Sequence, residues 1–165
     1  MNLQFLHKVK ENPSSFALKV VEISEALGIN PDWLMAAMNF ESGLNPAAVN
    51  RTTGASGLIQ FMPQTAIALG TTVEAIRNMS GIEQLDYVYN YLLPYQGKMK
   101  RLIDLYLSIF FPLAVGKPKD FVIQTKKLSA SQIAKANPVF DLDNNGEITV
   151  AEIEEVFLGT GRKKK

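Results

Sequence analysis

An all-α fold is predicted on three grounds. Asparagine followed by proline occurs twice where a helix could open, at Asn12-Pro13 and Asn30-Pro31. Apolar residues recur at intervals of three and four through much of the chain, and alternating strand patterns are nearly absent. The chain has 165 residues, 47% hydrophobic and 20% charged, which suits a folded domain able to bury a core.

Asn12-Pro13 opens the first predicted helix, with Phe16, Val20, Ile23 and Leu27 on one face and Gly28 as its stop. Asn30-Pro31 opens a second, from Asp32 to about Ser42, closed by Gly43. Asn45 to Pro63 is rich in Gly, Ser, Thr and Asn and reads as a loop running into a short helix. Thr71 with Glu74, and Ser80 with Glu83, have capping-box spacing. Behind Ser80, the residues Ile82, Leu85, Val88, Tyr89 and Leu92 make a helical stripe that should stop near Pro94. A further helix is predicted from about Lys98, with Leu102, Leu105, Tyr106 and Ile109 inward, ending before Pro112. Gly116 to Lys127 is an irregular connector. The expected division is therefore a helical domain over 1–127 and a smaller unit over 128–165 that ends in the basic tail Gly161 to Lys165.

Composition excludes several kinds of chemistry. With 17 basic and 16 acidic residues, the basic excess of a dedicated nucleic-acid binder is missing. With no cysteine, disulfides, thiolate metal sites and cysteine nucleophiles are ruled out. The single histidine, His7, rules out multi-histidine metal sites. No apolar run is long enough to span a membrane, and the first residues do not read as a signal peptide.

The second helix carries the first candidate for chemistry. From Trp33 to Phe40 every residue except Asn39 is apolar, so this helix should be buried. Glu41 falls in its last turn. Burial and the partial negative charge of a helix C-terminus both disfavour an ionised carboxylate, so Glu41 is expected to hold a proton more tightly than usual. That is what a general acid needs to protonate a leaving oxygen. The following Gly54–Thr65 segment would set amide and hydroxyl groups beside apolar surface, a mixture that suits a sugar.

Glu41-Ser42-Gly43-Leu44-Asn45-Pro46-Ala47-Ala48 and Gly57-Leu58-Ile59-Gln60-Phe61-Met62-Pro63-Gln64-Thr65-Ala66 closely resemble the first two motifs of the soluble lytic transglycosylase family, in the same order. That family lies in the lysozyme-like superfamily. The resemblance covers roughly Asn30 to Leu69, with weaker support to about Gly116. It implies a lysozyme-like helical domain acting on peptidoglycan glycan strands. By the same resemblance Glu41 is the acid/base, Gln60 binds sugar and Ser42 supports the site. Members cleave the β-1,4 bond between MurNAc and GlcNAc and usually leave a 1,6-anhydro-MurNAc end. The family's third motif, Ala-Tyr-Asn-x-Gly, is absent. Its nearest counterpart runs from Asp104 to Pro112, where Tyr106 either takes the aromatic role in substrate binding or is an ordinary core residue.

Glycosidases usually need two carboxylates. There is no Asp or Glu from Ser42 through Val73, which leaves only distant candidates such as Glu74, Asp86 and Asp104. Glu74 looks like a capping residue, and the two aspartates look solvent-facing on amphipathic helices. One carboxylate favours a transglycosylase over a muramidase. A third reading is a non-catalytic, calcium-dependent glycan-binding module, which would not lyse purified cell walls. Tyr87, Tyr89, Tyr91 and Tyr95 share one helix and its exit, and the pattern does not tell which of them faces a glycan.

Near the C-terminus, Asp141-Leu142-Asp143-Asn144-Asn145-Gly146-Glu147-Ile148-Thr149-Val150-Ala151-Glu152 fits an EF-hand loop. Asp141, Asp143 and Asn145 supply side-chain oxygens, Gly146 the sharp turn, Glu147 a carbonyl and Glu152 a bidentate carboxylate. Asn137-Pro138 interrupts the helix that should precede the loop. A lone loop suggests a structural calcium clamp, with no cofactor needed for catalysis. The chain is read as a monomer unless part of a virion or larger assembly. A phage protein, carried in the virion or released at lysis, would reconcile a cell-wall substrate with the missing export signal.

Overall fold

The computed structural model describes residues 2–159. It is all-α, with eight α-helices and three short 3-10 helices among the described residues, and the strand-like pairing there is confined to isolated β-bridges. The helices are α1 (Pro13–Leu27), α2 (Pro31–Ser42), α3 (Pro63–Ala68), α4 (Val73–Arg77), α5 (Gly81–Leu92), α6 (Leu102–Phe110), α7 (Ala130–Ala136) and α8 (Val150–Leu158). The basic tail lies outside the described residues.

The chain divides into two compact units, the first ending at Leu105 and the second beginning at Tyr106. This differs from the expected division at 127/128. The reason lies in the second unit, where Tyr106 and Phe110 pack on Phe140, and the connector residue Ile123 bonds to the backbone of Ile148.

In the first unit α1 packs on α2 and α5. Phe16, Val20 and Leu27 of α1 are buried with Leu34, Met35 and Met38 of α2 and Leu85, Val88 and Leu92 of α5. On α1 and α5 these positions fall at helical intervals of three, four or seven, and on α2 they lie side by side, so one face of each helix is apolar. Helix ends follow local chemistry. Gly28 and Gly43 close α1 and α2 in the left-handed conformation, and Ser80 with Glu83 forms a complete capping box on α5.

Three local expectations are corrected. Asn12 is itself left-handed (φ 45°) and makes no side-chain cap on α1. Thr71 and Glu74 form no capping box, because α4 starts one residue later and Thr72 accepts the Ala75 amide. Finally, α6 begins at Leu102 rather than near Lys98, because the Asp104 carboxylate gathers the amides of Lys100 and Arg101 into a capping turn.

In the second unit, α7 ends at Ala136, before Pro138, as the sequence leads one to expect. Thr149 caps α8 through a complete box with Glu152. Ile133, Phe140, Ile148, Val150, Ile153 and Val156 are buried there.

Candidate functional site

Glu41 is half-buried in the last turn of α2. The hydroxyl of the next residue, Ser42, lies 3.0 Å from the Met38 carbonyl and 2.8 Å from the Leu58 carbonyl. A hydroxyl has one proton, so it is shared between the turn that carries Glu41 and the glycine-punctuated loop. Ser42 thereby ties the two motif segments together.

The loop itself is tightly organised. Ser56 makes antiparallel bridges to Val49 and Phe61, and its hydroxyl donates to the Gly54 carbonyl at 2.9 Å. Arg77 Nε donates to the Ser56 hydroxyl at 2.9 Å. Gln60 takes a left-handed conformation (φ 57°), and its side-chain nitrogen donates to the carbonyls of Gly57 at 3.0 Å and Ala48 at 3.3 Å. The donor end of Gln60 is therefore spent on the loop, and its carbonyl end is the part suited to meeting a ligand.

Glu41 also acts electrostatically on Tyr91 of α5. Its phenol is held well above the ordinary tyrosine value, first by burial, then by Tyr95 and then by the Glu41 carboxylate. Glu41 and Tyr91 are thus close enough for the carboxylate charge to oppose phenolate formation. The Tyr91 ring meets Phe61 edge-on at 6.4 Å and Tyr95 at 6.1 Å. The sequence left four tyrosines undistinguished on this helix and its exit, and among them Tyr91 feels the Glu41 charge and meets Phe61. Tyr91 also lines a cavity of about 380 Å³ with Gln64, Thr65 and Tyr95.

Gln84 is a structural determinant that sequence reasoning passed over. It is fully buried on α5. Its carbonyl oxygen accepts the Leu58 amide at 2.9 Å, and its nitrogen donates to the Pro46 carbonyl at 2.6 Å and the Ile76 carbonyl at 2.9 Å. One side chain so fastens the exit of the first motif, the glycine loop and the end of α4.

Other candidates fall elsewhere. Tyr106 is 3% exposed in the second unit, stacked on Phe157 at 4.7 Å with Phe110 and Phe140 nearby. Asp104, expected to face solvent, is 1% exposed and paired with Arg101, whose guanidinium reaches both carboxylate oxygens at 2.7 and 3.1 Å. Asp86 is exposed and paired with Lys19 at 2.6 Å, and Glu74 is exposed on α4.

In the second unit, Asp141, Asp143 and Glu152 each present a carboxylate oxygen, and the three oxygens lie within 4.8 Å of one another. The loop amides organise them. Asn145 and Gly146 donate to Asp141 at 3.1 Å each, Asn145 also to Asp143 at 3.2 Å, and Leu142 to Glu152 at 2.8 Å. Asn145 accepts the Glu147 amide at 2.9 Å. Asn144 and Gly146 are left-handed, which bends the chain around its carboxylates.

Residues 20–90 match the family model described as the transglycosylase SLT domain. The matched stretch holds Glu41, Ser42, the glycine loop, Gln84 and most of α5. No curated protein matches the chain. At the level of the family, the match indicates an enzyme of the lytic-transglycosylase type that degrades peptidoglycan.

Proposed function

We propose that the first unit cleaves the MurNAc–GlcNAc β-1,4 bond with Glu41 as its acid and base. The observation that carries this reading is the half-buried Glu41, followed by Ser42, whose hydroxyl ties the helix end to the glycine loop within the matched stretch. A general acid in this place gives its proton to the leaving oxygen as the bond breaks.

In the first step Glu41 gives its proton to the glycosidic oxygen, and the bond from that oxygen to C1 of MurNAc breaks. The 2-acetamido oxygen of the same sugar supports the cationic C1. In the second step the Glu41 carboxylate takes the proton of the 6-hydroxyl, and O6 closes on C1. Water is not consumed, and the glutamate ends as it began. Gln60 is assigned to the acetamido group through its carbonyl oxygen, and Ser42 positions the helix end. Asp86 and Asp104, each held by a basic partner, support a single-carboxylate mechanism over the muramidase alternative.

The same proposal includes calcium in the second unit. The donor set fits, since Asp141, Asp143, Asn145 and Glu152 supply oxygens, the Glu147 carbonyl adds another, and hard oxygen donors suit that ion. A bound cation would offset the repulsion among three clustered carboxylates, and Glu41 needs no metal.

Mass spectrometry of muropeptides released from purified cell walls tests the reaction. Anhydro-MurNAc ends are expected. Reducing MurNAc ends would make the protein a muramidase, and absence of any release would leave a binding module.

A further inference from the structure

Among the described residues the metal-ligand candidates belong to 141–152, and that loop is held by more than its own internal bonds. Its second half is pinned from outside, by the connector that precedes α7. Val122 and Thr149 form an antiparallel bridge. The Ile123 amide donates to the Ile148 carbonyl at 2.8 Å, and the Val150 amide donates to the Phe121 carbonyl at 3.1 Å. One residue further, the Ala151 amide donates to the Lys119 carbonyl at 2.9 Å. The Lys119 ammonium then pairs with Glu154 on α8. Ile123 and Ile148 are both buried, so water does not compete well for these bonds.

These contacts sit on the route to the ligands. Thr149, between the two pinned residues Ile148 and Val150, donates to Glu152 from its amide at 3.1 Å and its hydroxyl at 3.2 Å. In return the Glu152 amide donates to the Thr149 hydroxyl at 3.2 Å. The orientation of the Glu152 carboxylate therefore depends on where the Thr149 backbone is held. Without the connector, the Ile148 carbonyl and the Val150 amide would form a short bare edge, which pairs readily with another strand.

We infer that Lys119 to Ile123 is a built-in clamp that sets the cation affinity of the 141–152 loop. By filling the loop's open edge, it lets a single loop bind as a monomer. Ile123 is the central positioning residue, acting through its backbone amide and not as a ligand. The inference rests on the calcium reading. If only a fraction of molecules hold the loop closed, apparent affinity falls by that fraction. Losing one backbone hydrogen bond should therefore weaken calcium binding by up to about 2- to 12-fold.

Calorimetric titration of the full chain with calcium is the test, comparing wild type with Ile123→Pro and Ile123→Ala. Proline removes the amide donor, whereas alanine keeps it and removes only side-chain bulk. Weaker binding by the proline variant than by the alanine variant is expected, with a rise in self-association at high protein concentration. Equal affinity in the two variants overturns the clamp while leaving calcium binding intact. No binding by wild type removes the calcium reading, and the clamp with it. Hydrogen exchange on the unaltered protein gives a measurement that no folding defect can obscure. Calcium should slow exchange of the Ile123 and Val150 amides, and unchanged rates in a protein that does bind calcium would also overturn the clamp.

Discussion

Gln84 and Gly57 occupy one small space in which neither can change alone. A Cβ on Gly57 would lie 2.6 Å from Gln84 Oε1 and 2.7 Å from Ile76 Cγ2, and Gly57 has a φ of +84°. Glycine is needed twice over here, for the left-handed backbone and for the close approach of the glutamine that fastens Leu58.

Gln84→Met keeps the volume and removes all three hydrogen bonds. The Leu58 amide and the Pro46 and Ile76 carbonyls lose their partner, at about 1–3 kcal/mol for each buried group left unpaired. Water entering the space would recover part of this, so a net loss of about 3 kcal/mol is expected. In a chain of this size that lowers the melting temperature by roughly 6–12 °C. Gly57→Ala should be comparably damaging. The pair is expected to be non-additive, because Gly57→Ala already displaces the glutamine. Thermal melts of the two single variants and the double variant check this, and additive losses would mean that the contact is not shared.

Glu41→Gln keeps the shape of the side chain and removes its proton. Release of muropeptides from cell walls should fall by at least about 100-fold, the lower end for general acid catalysis. The melting temperature should stay near wild type, since the residue is only half-buried. Turnover close to wild type in a folded Glu41→Gln protein would move the chemistry to another residue.

Tyr91 predicts a pH effect with a definite sign. Its phenol is raised in the folded protein, so the folded state keeps that proton more tightly than the unfolded state does. The corresponding stability is fully present below the unfolded value near 10 and is lost as pH rises through the folded value. Tyr91→Phe removes the titrating group, and its melting temperature should decline less than that of wild type between neutral pH and strong alkali. Parallel declines would show that the phenol is not held as described.

What could be read from the sequence were features with local causes. Gly28, Gly43 and the Ser80–Glu83 box end or begin helices through bonds within a few residues, and the apolar stripes of α1 and α5 follow the helical repeat. Glu41 at the end of an apolar helix was legible for the same reason. Other features depend on which partner, near or far, takes a polar or aromatic side chain, and the residue pattern does not show that. Asp104 sits on a helix where a charge normally meets water, yet Arg101 and two backbone amides satisfy it inside the protein. Gln84 is polar among the residues of an amphipathic helix, and nothing near it in sequence reveals that Pro46 and Leu58 come to meet it. Tyr91 was one of four tyrosines until the fold brought Glu41 and Phe61 to its side. Tyr106 lies where the missing third motif would fall, but its partners, Phe140 and Phe157, come from the far end of the chain.

Calcium is expected to stabilise the second unit without entering the glycosidic chemistry. The carboxylate oxygens of Asp141, Asp143 and Glu152 lie within 4.8 Å of one another, so without a cation their charges repel. An ion that binds the folded loop and not the unfolded chain stabilises it by mass action, by about 2.7 kcal/mol at a hundredfold excess over its dissociation constant. In a chain of this size that corresponds to a rise of roughly 5–11 °C in the melting temperature. Glu152→Gln should abolish most of that rise, because it removes the carboxylate that grips the ion from the α8 side, while the Thr149 cap to the Glu152 backbone amide remains. Scanning calorimetry in calcium and in chelator measures both effects. Identical melting curves would reduce the loop to a turn that caps α8. Cell-wall cleavage measured beside the melts separates stability from chemistry. Activity should persist in chelator at temperatures where the chain is folded, since the acid and base role proposed for Glu41 calls for no metal. Activity that vanished in chelator while the melting curve kept its shape would mean that the ion shapes the glycan site as well as the loop.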